Sequence, residues 1–164
     1  MVDWAGTPVD IIREMLHGAR VGTDDVVYDL GSGDGRILFT AVAEFGARRA
    51  VGYEIRDNLC RIAAKKARES HLEESIRIIN GDLFDADLSD ASVITLYLRN
   101  ETNDILRPKL ETCARSNTRV VSYLFPINGW QAEGESAAHS LSIAEGRLDD
   151  IVFVYRIPQA FRGC

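Results

Sequence analysis

The 164-residue sequence predicts an α/β fold: a three-layer sandwich around a mostly parallel seven-stranded sheet, closed by an antiparallel C-terminal hairpin. Three observations predict it. Apolar strand-like runs and helix-period segments alternate through five strands, which implies a parallel sheet with helices on both faces and right-handed crossovers. The run ASVITLYL is nearly all apolar, as a strand covered on both sides should be. HSLSIAEG and DIVFVYRI, joined by a short loop containing Gly146, read as the hairpin. No linker, repeat or low-complexity segment interrupts the chain, so residues 1–164 are expected to form one domain with an N-terminal helix over 7–20.

The elements follow in order. Thr7 is placed as an N-cap, Pro8 at the first helical position, and Asp10 completes a Thr-x-x-Asp capping pattern. Val9, Ile12, Leu16 and Ala19 recur at helical spacing, and Gly22 closes the segment. VVYDL is the first strand, and RILFTAVAEFG the helix after it, ended by Gly46. RAVGYEI is the second strand, NLCRIAAKKARESH a helix, and SIRIINGD the third strand. ASVITLYL is the fourth. ETNDILRPKLETCAR is helical, with Pro108 expected to start, end or kink part of it, and RVVSYLFPI is the fifth strand.

Composition narrows the function classes. Apolar residues make up 46% and charged residues 27%, ordinary for a globular protein. A net charge of −6 argues against a nucleic-acid partner, whose binding is driven by Lys and Arg against phosphate. Cys60, Cys113 and Cys164 are far apart and lack CxxC spacing, so neither a disulfide framework nor a zinc site is expected, and a reducing cytoplasm fits. No apolar run approaches the ~20 residues of a membrane span, and MVDWAGTP lacks the pattern of a signal peptide. Nothing demands a partner subunit, so a monomer is expected. Three lysines stand against sixteen arginines.

The stretch VVYDLGSGDGRI (residues 26–37) carries the chemistry. A dinucleotide site wants G-x-G-x-x-G, but here the third glycine comes one residue early. Asp34 puts a carboxylate where phosphate would otherwise collect, and Asp29 lies just before the loop. Bare backbone at Gly31, Ser32, Gly33 and Gly35 together with negative charge suits a nucleoside with a flexible cationic part and no phosphate. S-adenosyl-L-methionine matches. Glu54 ends the second strand a little over twenty residues on, near the spacing at which an acid meets ribose hydroxyls. Asp82 follows the third strand, placed to accept from the adenine amino group while the Leu83 amide donates to a ring nitrogen. Thr7 is a further candidate contact, to the amino-acid end of the cofactor.

VVYDLGSGDGRI, GYEI and NGDLF resemble motif I, the acidic end of strand two and the adenine-contact segment of class I methyltransferases. More narrowly, TPVDIIREML, DDVVYDLGSGDGRI, VGYEI, SVITLYL, LRPKLE and RVVSYLFPINGW run in the order seen in small archaeal protein lysine methyltransferases. The mitochondrial lysine methyltransferases once named family 173 share that core. The resemblance implies transfer of one to three methyl groups to exposed lysines of protein substrates. Two departures leave substrate preference open: Ala5 and Gly6 precede Thr7 where relatives often carry an aromatic and a proline, and Tyr123 and Leu124 stand where they can carry His-Glu.

Attack on a methyl sulfonium needs a neutral amine, and a free lysine, pKa ~10.4, arrives protonated. Desolvation and the sulfonium both disfavour the ammonium, so its proton can leave to water without a dedicated base. His17, His71 and His139 read as structural or surface residues. The Asn/Asp-Pro-Pro-Tyr grip for planar nitrogens is missing after strand four, where the chain has Leu96-Tyr97-Leu98-Arg99-Asn100. Tyr97 and Tyr123 are the candidate catalytic residues, as walls of a lysine channel, with Trp130 a weaker one. The rival readings are a methyltransferase for a small molecule or RNA, and a cofactor-binding module without turnover.

Overall fold

Burial of the central strands from both sides sets the architecture. In the computed structural model, which describes residues 6–133 and 151–162, β1 (Val26–Leu30) and β4 (Val93–Leu96) are buried at every position. With β2 (Arg49–Glu54), β3 (Ile76–Asn80), β5 (Arg119–Tyr123) and β6 (Val152–Arg156) they form one sheet in the order β3-β2-β1-β4-β5-β6. The first five strands are parallel and β6 runs antiparallel to β5. The predicted strand HSLSIAEG, with Gly146 and His139, lies outside the described residues, so six strands are described where seven are predicted.

The strands alternate their side chains between two cores. Val27, Val93 and Val121 pack with α1 (Val9–Gly18), α2 (Arg36–Ala43) and, through Ala67, α3 (Asp57–Glu69). Val26, Tyr28, Ile94, Leu96 and Val120 pack with Leu106 and Leu110 of α4 (Asn100–Cys113) and Ala160 of the short α5 (Gln159–Arg162). These are the three layers the sequence predicts.

Two local expectations are corrected and one is narrowed. Thr7 is not the cap of α1: the N-cap is Pro8, which makes no side-chain cap bond, and the first helical bond runs from Ile12 N to Pro8 O. Pro8 itself takes extended backbone (ψ 146°), so the helix starts one residue later and Thr7 is buried at its approach. Of the predicted stripe Ile12, Leu16 and Ala19 are buried and Val9 is exposed, Ile11 and Met15 join the buried face, and the helix ends at Gly18 rather than at residue 20. Pro108 neither starts nor ends α4, which passes through it. The bond lost there is the one to the Asp104 carbonyl, and both residues are exposed, where water can take it.

From β1 the chain builds β2 and β3 to one side, then crosses back to build β4 and β5 on the other. Ligands of open α/β sheets bind where the strand order reverses, beyond the carboxyl ends of the strands. That point lies between the ends of β1 and β4.

Candidate functional site

A cavity of about 680 Å³ opens there. Its floor is the end of β1 and the glycine loop, with Asp29, Gly31, Ser32 and Asp34 on the wall. Tyr53, Glu54, Ile55 and Arg56 from the end of β2, and Gly81 to Phe84 after β3, make one side. Tyr97, Leu98 and Arg99 after β4, with Phe125 after β5, make the other. Gly6, Thr7, Arg36 and Ile37 complete the rim.

The glycine loop adopts this path because Gly31 (φ 88°), Gly33 (φ 57°) and Gly35 (φ 81°) all take left-handed backbone. The loop is then held from outside. Glu54, 3% exposed, accepts from the Gly33 amide through Oε2 (2.8 Å). Its Oε1 accepts from the Arg56 amide (2.9 Å) and from Arg56 Nε (3.1 Å). Ser32 turns its side chain toward β2, where a Cβ on Gly52 would come within 2.5 Å of the hydroxyl. Gly52 is therefore the gap in β2 that admits the loop.

Asp34 is similarly occupied. Arg36 Nε donates to its Oδ1 (3.0 Å) and Arg36 Nη2 to its Oδ2 (2.9 Å). Burial works to raise the Asp34 pKa, but the Arg36 bonds and charge outweigh it and hold the carboxyl below the usual carboxylate range. The phosphate repulsion expected from Asp34 is thus offset within its own loop. Arg36 Nη1 also donates to the Thr7 carbonyl (3.2 Å), and a Cβ on Gly6 would collide with the guanidinium. The N-terminal segment is therefore tied to the rim by Arg36.

Asp29 is different. It is 3% exposed, and among the described residues its side chain accepts one hydrogen bond, from Thr95 Oγ1 (2.9 Å) on the neighbouring β4. Burial pushes its pKa up to about 7; the Glu54 and Asp34 charges push the same way, and the Thr95 bond opposes them.

The structure brings Thr7, Asp29, Gly31, Ser32, Glu54, Asp82, Leu83 and Tyr97 onto one cavity wall. Three predicted site residues stand off it. The Gly33 amide is turned to Glu54, and Gly35 packs toward Phe39 and Ala63, so both shape the loop without lining the cavity. Tyr123 is 4% exposed and backs Tyr97, ring centroids 4.7 Å apart, because its strand position faces the core on the α1 side. Trp130 packs against Tyr155 and Phe161, and its indole donates to Glu111. Asp82 caps a single turn of 3-10 helix (Leu83–Asp85) by accepting from the Phe84 amide (2.9 Å). Sequence reasoning missed Arg36 and Arg56, although D-G-R and E-I-R place each two residues after the acid it pairs with.

These residues fit S-adenosylmethionine. At the loop it is backbone that borders the cavity, since the Ser32 side chain is turned toward Gly52, and a backbone without bulky side chains lets a ligand approach closely. The β2–β3 side combines apolar Ile55, Leu83 and Phe84 with the carboxylates of Glu54 and Asp82, as a flat base on a ribose requires. Asp29 lies beside the glycine loop, a carboxyl that a cationic group would draw into its ionised form.

Comparison with known proteins agrees. The family described as "ANTKMT methyltransferase domain" matches residues 29–134. A protein-lysine N-methyltransferase of Saccharolobus islandicus is 38% identical over 156 residues, covering 95% of this chain and 94% of the relative. The mouse adenine nucleotide translocase lysine N-methyltransferase is 34% identical over 130 residues, 79% of this chain but 56% of that longer protein. Among solved structures, one described as an RNA methyltransferase from Salinibacter ruber in complex with S-adenosyl-L-homocysteine is 40% identical, with a TM-score of 0.85 over 94% of this chain and 95% of that one.

Proposed function

Because the chain belongs to the ANTKMT methyltransferase domain family and is an S-adenosylmethionine-dependent methyltransferase, we propose that it methylates lysine side chains of protein substrates. The observation that carries this reading is the end-to-end similarity to a protein-lysine N-methyltransferase of nearly the same length.

Bound in the cavity, the cofactor supplies a methyl group on a sulfonium for in-line displacement. The chain's own residues position and exclude. The backbone at Gly31 and Ser32 borders the cofactor's centre, and Asp29 pairs with its positive charge. Glu54 Oε2, which keeps a lone pair beside the Gly33 amide, takes a ribose hydroxyl. Asp82 and Leu83 meet the adenine edge, and Thr7 borders the amino-acid end. Tyr97, with Tyr123 fixed behind it, walls the aliphatic stem of the incoming lysine. The acceptor loses its proton to water on entering this low-dielectric channel, and the neutral amine attacks. Positioning supplies much of the rate.

The Salinibacter structure's description favours a second reading, RNA as acceptor. Charge weighs against it. The net charge is −6, and on the basic helix α3 Arg61 is paired with Asp57 and Lys65 with Glu69. We further read the protein as a cytoplasmic monomer; among the described residues no helix is long and apolar enough to cross a membrane. Incubation with methyl-labelled cofactor and a mixed lysate, with and without nuclease, tests the assignment. Label on protein lysines that survives nuclease supports it. Nuclease-sensitive label overturns it in favour of RNA, and cofactor binding without transfer overturns turnover altogether.

A further inference from the structure

Three arginines line the cavity, and two are spent on its own acids: Arg36 on Asp34 and Arg56 on Glu54. The third, Arg99, is exposed, and among the described residues its side chain makes no hydrogen bond or ion pair. It lies with Tyr97 and Phe125 on the side away from Glu54 and Asp82. That is the acceptor's side if the adenosine lies by β2 and β3.

Arg99 is also the N-cap of the fourteen-residue α4, which has no side-chain cap bond there. The helix dipole already makes this end positive, so a guanidinium is disfavoured there until an anion joins it. The acids nearest it on α4 do not supply one. Neither Glu101 nor Asp104 lines the cavity, and Asp104 is held by the Asn128 amide (2.9 Å). The acceptor lysine carries the wrong sign to be the partner. The cofactor's own carboxylate goes with its amino-acid end to Thr7, so the remaining source is the substrate, whose neighbouring residues are only ~3.8 Å away along its chain.

We propose that Arg99 reads a carboxylate next to the acceptor lysine, so that preferred substrates carry Asp or Glu adjacent to the methylated residue. The proposal rests on the protein-lysine reading above. Arg99 is a specificity residue here: it selects the flank and takes no part in methyl transfer.

Peptides identical except for Glu, Ala or Arg beside one lysine test it, with kcat/KM measured for the wild type, Arg99→Gln, Arg99→Glu and Arg99→Lys. An exposed pair supports a wild-type preference for Glu over Ala of roughly threefold to fivefold. Arg99→Gln brings the Glu peptide down to the Ala level, Arg99→Glu turns the preference toward Arg, and Arg99→Lys keeps part of the original order. S-adenosylhomocysteine affinity, measured in parallel, stays unchanged in the three variants; a loss confined to Arg99→Gln and Arg99→Glu in a folded protein places Arg99 on the cofactor's carboxylate and overturns the assignment. A loss shared equally by all three peptides, or a flank preference unchanged in Arg99→Glu, overturns the assignment while lysine methylation stands. If no peptide or protein lysine is methylated by the wild type, the reading beneath it falls and takes the assignment with it.

Discussion

Replacing Asp29 by Asn removes a carboxylate whose burial makes it costly to ionise. Asp29 is 3% exposed and has a pKa near 7 against an ordinary 3.8. A pKa raised on folding means that the folded state holds a proton the unfolded state has released. Its contribution to stability is therefore complete below pH 4 and is lost as pH rises through 7. The whole swing is about 4 kcal/mol, at about 1.4 kcal/mol per unit, and about 2–3 kcal/mol of it falls between pH 5 and pH 8. Asn keeps the shape and cannot ionise. Urea denaturation of both proteins without cofactor, at pH 5 and pH 8, should show Asp29→Asn gaining about 2–3 kcal/mol on the wild type across that interval. The same carboxylate should release a proton when a cationic ligand binds near it at pH 6. Calorimetry in buffers of different ionisation enthalpy would detect that release in the wild type and not in the variant. A stability difference that is equal at the two pH values would refute the reasoning, since the carboxyl would then titrate alike in folded and unfolded chains.

Other perturbations follow from particular contacts. Glu54→Gln sets amide hydrogens against the Gly33 or Arg56 donors, and should lower stability by about 1–3 kcal/mol and weaken S-adenosylhomocysteine binding about tenfold, by urea titration and calorimetry. Gly52→Ala forces a methyl to 2.5–2.7 Å from Ser32 and Leu38. It should cost about 1–3 kcal/mol in unfolding free energy, and Val51→Ala on the same strand serves as a control that leaves the loop in place. Tyr97→Ala should reduce kcat/KM for a lysine-bearing protein about tenfold while the cofactor dissociation constant moves by about twofold or less; equal losses in both would place Tyr97 on the cofactor's side.

The sheet order and the cavity's place were legible because they follow from alternation and from one glycine-rich turn. Asp29, Glu54 and Asp82 were legible as acids ending successive strands. Their occupations were not. That Asp29 depends on Thr95 requires the β1–β4 register, which joins residues 66 apart. That Gly52 makes room for Ser32 requires the β1–β2 pairing, where Gly52 sits opposite Asp29. Tyr123 looked like a channel wall because it ends a strand beside Tyr97, but the period-2 alternation of β5 carries it into the core. Thr7 satisfied a capping pattern, but Pro8 is itself extended and takes the cap position.

The acids at the ends of the glycine loop and of β2 each carry their own arginine two residues later. In the donor's half of the cavity, Asp34 and Glu54 are therefore compensated internally and Asp29 is buried away from mobile ions, which leaves them little there to screen. Raising ionic strength should leave donor affinity nearly flat while eroding capture of a charged acceptor at the open rim. A simple salt titration would thus separate the two binding events in a single preparation.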